Sequence, residues 1–157
     1  MAGIWLNNGE CGLSNYHLEG GCDIVFQMGT AMFGVRDDQG KLSDKKLEEV
    51  AAHDQVKMIE VKLSQGAKPG KGGILPGKKV TEEVSQIRGI PVGQDAISPN
   101  RFPDIDGPED LLAMINHIRD VSGKPVGIKL CVGNAEEVDA LCLAIGKQGI
   151  EYAPDFI

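Results

Sequence analysis

The sequence predicts an α/β fold in which parallel strands alternate with helices. Three observations support this prediction. Short apolar runs with a two-residue period are separated by segments with helical periodicity and capping residues. Each glycine-rich or charged loop follows a strand rather than precedes one. Strands and helices in alternation favour right-handed crossovers, and both an open sheet and a barrel would gather the loops on one face.

The first two predicted strands are short and end at polar residues. Residues 3–6 form an apolar run followed by a glycine loop that contains Glu10, and residues 23–28 form a second strand with Gln27 near its end. Residues 14–19 between them predict one helical turn. Both polar residues are site candidates because they stand at strand ends, although a solvated loop carboxylate is the ordinary alternative for Glu10.

The third strand, residues 57–63, carries the central feature. Ile59 and Val61 share one face while Glu60 and Lys62 share the other, as a two-residue period requires. A lysine that points inward from a buried strand needs an anionic partner, because an unpaired buried charge is costly. Lys62 therefore indicates an anionic partner, and we interpret that partner as a small anionic ligand at the mouth of the fold.

The loop after this strand, residues 64–73, adds donors suited to an anion. Gln65 and Lys68 supply polar side chains, and glycines such as Gly66 allow close approach of a ligand to the backbone. The loop is not a Walker loop, because Gly72 stands where Ser or Thr is required. The alternative interpretation is a flexible glycine loop with solvated lysines.

The rest of the chain continues the alternation. Helices are predicted at residues 44–52, at 82–88 with Val84 and Ile87 inward, and from Pro108 onward with four apolar residues facing the core. Residues 90–101 contain many turn formers and predict a long ordered loop that includes Ser98. The four core-facing residues of the helix that begins at Pro108 are Leu111, Leu112, Ile115 and Ile118.

The last predicted strand repeats the pattern of the third. Within residues 125–132, the apolar residues share one face and Lys129 lies on the other. Two lysines near the ends of separate strands indicate one shared anionic site. A helix at residues 134–148 follows, with its inward residues predicted as Val138, Leu141 and Ile145, and residues 154–157 resemble the opening of another strand.

Composition excludes several classes of function. The 157 residues carry a net charge of −7, which argues against a nucleic-acid surface. No apolar run has the length of a membrane span, and the N-terminus lacks a signal-peptide pattern. The four cysteines contain no C-x-x-C pair, so neither a metal site nor a disulfide scaffold is predicted. We expect free thiols and a cytoplasmic location.

Several motifs together resemble one family. They are N-G-E-C-G from Asn8, Q-M-G-T from Gln27, M-I-E-V-K-L-S-Q-G-A-K-P-G-K-G-G-I-L-P-G from Met58, I-R-G-I-P-V-G-Q-D-A-I-S-P-N-R from Ile87, and K-P-V-G-I-K-L from Lys124. This set resembles the FMN-binding synthase domain of glutamate synthases and their short single-domain relatives, across nearly the whole chain. Cys11 stands where that family usually has glycine.

The resemblance implies a β/α barrel that binds FMN and reduces 2-iminoglutarate, formed from ammonia and 2-oxoglutarate, to L-glutamate. By resemblance Gln27, Lys62 and Lys129 are flavin-side residues. Glu10 and Lys68 are the implied catalytic residues, and Gln65, Gly66 and Ser98 the implied substrate-binding residues. Residues 1–157 then form a single incomplete domain, about half of a TIM-type barrel.

The incomplete barrel bears on partners and activity. An open half-barrel exposes strand edges, so we expect either another chain that supplies the remainder or a homo-oligomer, and no activity from the isolated chain. The expected small-molecule partner is 2-oxoglutarate or a similar dicarboxylate. Two alternatives stay open: a degenerate half-barrel that acts as a binding or assembly module, and a generic anion-binding α/β domain.

Overall fold

The computed structural model describes residues 3–68 and 70–157. Six strands are present in that part of the chain: β1 Leu6–Asn7, β2 Ile24–Met28, β3 Val56–Lys62, β4 Gly73–Leu75, β5 Ala96–Ser98 and β6 Val126–Lys129. The α-helices are α1 Asn15–Glu19, α2 Asp44–Ala51, α3 Glu82–Arg88, α4 Pro108–Ser122 and α5 Ala135–Gln148. Short 3₁₀ turns cover Gly77–Lys79 and Ile150–Tyr152.

Four strands form a parallel sheet in the order β1, β2, β3, β6. Each strand is therefore hydrogen-bonded to the strand that follows it in this sheet, and helices lie in every connection. This arrangement confirms the predicted α/β fold with a parallel sheet. The remaining two strands, β4 and β5, pair with each other antiparallel and lie within the connection from β3 to α4.

One face of the sheet packs against the helices and forms the main core. Ile59 and Val61 of β3 are fully buried there, as are Val126 and Ile128 of β6. The four predicted core residues of α4 belong to the same cluster. Pro at the first position and Gly123 in a left-handed conformation after the last turn bound α4, as its sequence requires.

The other face of the sheet is polar. Asn7, Gln27 and Glu60 lie on adjacent strands, and Asn7 Nδ2 and Gln27 Nε2 both donate to Glu60 Oε1. The apolar and polar faces of β3 thus follow the predicted two-residue alternation. This polar face leads directly to the carboxyl ends of the strands, where the candidate site lies.

The C-terminal segment runs beside β6. The Asp155 amide donates to the Val126 carbonyl at 2.8 Å, and the Ile128 amide donates to the Phe156 carbonyl at 3.1 Å. Arg119 of α4 holds the Asp155 carboxylate at 3.1 Å. The predicted strand at 154–157 therefore makes backbone bonds to the sheet edge, although the segment is not a regular strand.

Several sequence predictions were wrong in detail. The first strand is Leu6–Asn7 rather than residues 3–6, and the last strand ends at Lys129 rather than at residue 132. Residues 90–101 are not free of regular structure, since Ala96–Ser98 pairs with Gly73–Leu75, a distant partner that local composition does not reveal. Val138 is 37% exposed, because α5 packs through Leu141, Ala144 and Ile145 instead.

Within residues 3–68 and 70–157 no helix has the length and apolar character needed to cross a membrane.

Candidate functional site

A cavity of about 490 Å³ lies at the carboxyl ends of the parallel strands. The loops after β1, β3 and β6 line it, together with the β4–β5 ribbon and the end of α3. Seven of the eight residues predicted for the site contribute to its lining: Glu10, Lys62, Gln65, Gly66, Lys68, Ser98 and Lys129. Glu10 and Lys129 are 119 positions apart in sequence, yet both line this cavity. They are close because the carboxyl ends of parallel strands lie at one edge of the sheet.

A charged hydrogen-bond network forms one wall of the cavity. Lys62 Nζ donates to Glu10 Oε2 at 3.0 Å and to Gln65 Oε1 at 3.1 Å, and Gln65 Nε2 donates to Glu10 Oε2 at 2.7 Å. The side chains of Lys62 and Glu10 are 19% and 17% exposed. The predicted anionic partner of Lys62 within the chain is therefore Glu10, and the pair is held by a third polar group.

Gly29 allows Glu10 to occupy this position. A Cβ built at residue 29 would lie 2.5 Å from Glu10 Oε2 and 2.8 Å from Glu10 Cβ. The loop after β2 thus needs a glycine where it meets the loop after β1. Glu10 Oε1 has no hydrogen-bond partner in residues 3–68 and 70–157, so this oxygen is open to a ligand.

Lys62 and Lys129 are direct neighbours in the sheet. The two residues are paired in the register of β3 and β6, and both line the cavity. Side chains at paired positions of adjacent strands lie on the same face about 5 Å apart at their Cβ atoms. Like charges so close repel unless an anion lies between them. Glu10 meets that need for Lys62, while Lys129 is exposed to the cavity without an ion pair among the described residues.

The glycine loop packs tightly against two other parts of the site. A Cβ at Gly66 would collide with Sγ of Cys131, and a Cβ at Gly72 would collide with the carbonyl oxygen of Ser98. Gly72 also has a φ of +68°, which favours glycine. These glycines therefore let the loop after β3 pack against Ser98 at the end of β5 and against Cys131 in the loop after β6, and both of these residues line the cavity.

Gln27 lies outside the cavity lining. Its side chain is 4% exposed, and Nε2 donates to Glu60 Oε1 at 2.5 Å. Its backbone amide donates to Asn8 Oδ1 at 2.7 Å. Gln27 lies on the same strand pair as Lys62, below the strand ends, and its predicted role toward a flavin stays a prediction.

Arg88 is a cavity residue that the sequence analysis did not single out. Its guanidinium lies 5.0 Å from the centroid of the Phe33 ring, and Nη2 lies 3.1 Å from Cys11 Sγ. A basic residue in the last turn of a helix is ordinarily explained by its favourable interaction with the helix dipole, so the sequence gives no reason to assign Arg88 to a site. With Arg88 included, the lining contains four cations and one carboxylate: Lys62, Lys68, Arg88, Lys129 and Glu10.

Comparisons with known proteins identify the family of the chain. A family model described as the conserved region in glutamate synthase matches residues 1–151. The chain is 46% identical over 155 residues, 99% of its length, to the glutamate synthase large subunit-like protein YerD of Bacillus subtilis. It is 37% identical over 152 residues, 96% of its length, to the archaeal-type glutamate synthase (NADPH) of Thermotoga neapolitana.

The chain belongs to the glutamate synthase family. It covers 29% of the B. subtilis relative and 27% of the T. neapolitana relative, so it spans a little over a quarter of their length. The matched region contains all eight predicted site residues, from Glu10 to Lys129. Membership in this family confirms the resemblance stated from the motifs.

Among the described residues no group of three or more His, Cys, Asp or Glu side chains is arranged to hold a metal ion. All four cysteines are free thiols, as the sequence predicts.

Proposed function

We propose that this chain is the part of an FMN-dependent, glutamate synthase-type oxidoreductase that carries the anionic site. The proposed reaction is the reductive formation of L-glutamate from 2-iminoglutarate, which ammonia and 2-oxoglutarate form with loss of water. The observation that carries the proposal is the pairing of Lys62 and Lys129 in adjacent strands at the mouth of one cavity.

The donor set fits FMN. Two lysines at paired strand positions offer positive charge to the flavin ring, and a cation near the flavin favours its anionic reduced form. Lys62, Lys129 and Gln27 are the residues proposed to hold the cofactor. Reduced FMN, when bound, would supply the hydride for reduction of the imine and would itself be oxidised, so a separate electron donor is needed to reduce it again.

The cavity also offers separate groups for a dicarboxylate. Lys68 and Arg88 line the cavity and are the proposed partners of the substrate carboxylates, since charge-assisted bonds to carboxylates are strong and directional. Gln65, Gly66 and Ser98 complete the proposed substrate wall. Gly66 contributes there by close backbone approach, because it carries no side chain.

Glu10 is the proposed proton-handling group. Lys62 and Gln65 fix its Oε2, which leaves Oε1 in the cavity as an acceptor. A carboxylate held in one orientation next to the substrate can accept a proton from the ammonium or amine nitrogen and return it.

We infer that the domain is an incomplete barrel. The consecutive order of four parallel strands, with the C-terminal segment beginning a further one, supports about half of a TIM-type barrel. Another chain, or a second copy in a homo-oligomer, would supply the remainder of the barrel and cover the polar face of the sheet.

Four free thiols support a cytoplasmic location.

Titration with FMN and with 2-oxoglutarate, separately and together, tests the proposal. Flavin absorbance and fluorescence report the first ligand, and calorimetry reports the second. We expect weak FMN binding by the isolated chain, with no turnover, and tighter binding when the missing barrel strands are supplied. Flavin that co-purifies stoichiometrically with the monomer would contradict the incomplete barrel. Binding of neither ligand under any condition would favour the degenerate assembly module.

A further inference from the structure

The β4–β5 ribbon exposes an apolar pair on its outer face. Ile74 and Ile97 are paired directly across the two strands, and they are 58% and 54% exposed. Leu75 and Ala96, the next pair along the ribbon, face the other way and pack into a small apolar cluster. Side chains at directly opposite strand positions lie about 5 Å apart at their Cβ atoms, so the two isoleucines form one continuous patch.

β4 also has an open backbone edge. Gly73–Leu75 pairs with β5 on one side, and no other described residue makes a hydrogen bond to the backbone of these three residues. None of the three is buried, whereas Ala96 and Ser98 of β5 are. Open strand edges are templates for a further strand, and a two-stranded ribbon is only marginally stable by itself in water. The outer edge of β4 is therefore suited to a third strand supplied by another molecule.

The ribbon lies in a basic part of an acidic chain. Residues 61–81 contain five lysines and no acidic residue, whereas the rest of the chain contains 11 basic and 23 acidic residues. Lys71 precedes β4, and Lys78 and Lys79 follow it; these three lysines are exposed and have no ion pair among the described residues. Complementary charge steers association and discriminates between partners. An acidic segment is therefore attracted to the ribbon and repelled by most of the remaining surface.

We propose that β4 is the docking edge for an extended acidic segment of a protein partner. The segment adds a strand beside Gly73–Leu75, so that its backbone bonds to the open edge. Its apolar side chains extend the patch of Ile74 and Ile97, and its carboxylates lie near the three exposed lysines. A nucleic acid or an anionic membrane would meet the lysines but would use neither the backbone edge nor the isoleucine pair.

The docking edge is continuous with the wall of the main cavity. Gly73, Ile74 and Leu75 of β4 all line that cavity, as do Ala96 and Ser98 of β5. A third strand makes a ribbon more stable. A bound partner segment therefore fixes the position of this cavity wall.

A fluorescein-labelled peptide of about eight residues that alternates Glu and Val, a length typical of strands, is the probe. Fluorescence anisotropy measures its binding to the chain, and hydrogen–deuterium exchange locates the site. One control peptide has Lys in place of every Glu. A second has N-methyl groups on its backbone amides, which removes the donors and keeps the side chains. The assay needs neither flavin nor 2-oxoglutarate, so its outcome is independent of the proposed reaction.

Matched variants separate the patch from general surface effects. I74T/I97T removes the apolar pair at exposed strand positions, and V132T is its control, because Val132 is 59% exposed and lies outside the ribbon and the cavity lining. K78Q/K79Q removes two of the lysines, and K147Q on α5 is the control for charge. We expect each double change to weaken binding of the Glu–Val peptide about 10-fold, and each control to leave it unchanged.

Bound peptide should slow exchange at the amides of residues 73–75. Absence of binding by the Glu–Val peptide would overturn the proposal, as would equally tight binding of the Lys-containing or the N-methylated peptide. Slowed exchange only outside the ribbon would overturn it too. Self-association of the chain that I74T/I97T abolishes would assign the patch to a second copy, and would equally contradict an acidic partner segment.

Discussion

Replacement of Lys62 by Met tests the charged wall of the site most sharply. The change removes the cation from Glu10, whose side chain is only 17% exposed and which retains the Gln65 amide at 2.7 Å. At the observed separation of 3.0 Å the gross attraction is roughly 5 kcal/mol for an effective dielectric constant near 20. Desolvation offsets most of it, so we expect K62M to lower the free energy of unfolding by about 2 kcal/mol.

A double-mutant cycle separates the pair from other effects of the substitution. E10Q removes the charge with little change in shape, and E10Q/K62M should be more stable than the sum of the single changes by about 1–2 kcal/mol. Urea unfolding followed by far-ultraviolet circular dichroism gives the free energies, with K57M on the same strand as an exposed control. A coupling energy below about 0.3 kcal/mol would refute the ion pair as a structural element of the site.

Three further predictions follow from the packing and the charges. G66A should weaken 2-oxoglutarate binding about 10-fold because the new Cβ collides with Cys131 Sγ, and G66A/C131G should recover most of that loss in a calorimetric titration. L112A, at a fully buried position of α4, should lower the free energy of unfolding by about 2–5 kcal/mol in urea. R88K should raise the dissociation constant for 2-oxoglutarate about 10-fold in calorimetry, because a lysine cannot reproduce the planar fork of an arginine.

The elements with a strong local signal were predictable. Helix α4 shows Pro108 at its start, glycine after its end and four apolar residues at helical spacing, and the structure reproduces all of these features. β3 was equally clear, because its alternation of apolar and charged residues is strict. Such elements are specified by nearest neighbours in sequence, so no tertiary information is needed.

The β4–β5 ribbon was not predictable in the same way. Its strands have three residues each, and they are stabilised by pairing across a separation of more than 20 residues. Val138 was assigned to the wrong face of α5 because helical spacing alone does not say which half of a helix meets the core. Both errors arise from contacts that exist only after the chain has folded.

Most of the site could be predicted because parallel topology converts sequence order into proximity. Glu10, Lys62 and Lys129 each follow or end a strand, so they meet at one edge once the strands are parallel. Arg88 was missed because it reaches the cavity from a helix rather than from a strand end. The Glu10–Lys62 pairing was also not assigned, since spacing does not reveal which charges bond.

Flavin titration of charge variants measures the central claim directly. FMN fluorescence is followed against increasing concentrations of the chain, of K62Q, of K129Q and of the control K57Q, at low and at high salt. If the paired lysines hold the cofactor, K62Q and K129Q should each weaken binding about 10-fold at low salt, while K57Q binds as the unmodified chain does. Equal FMN affinity for all four proteins would contradict the account.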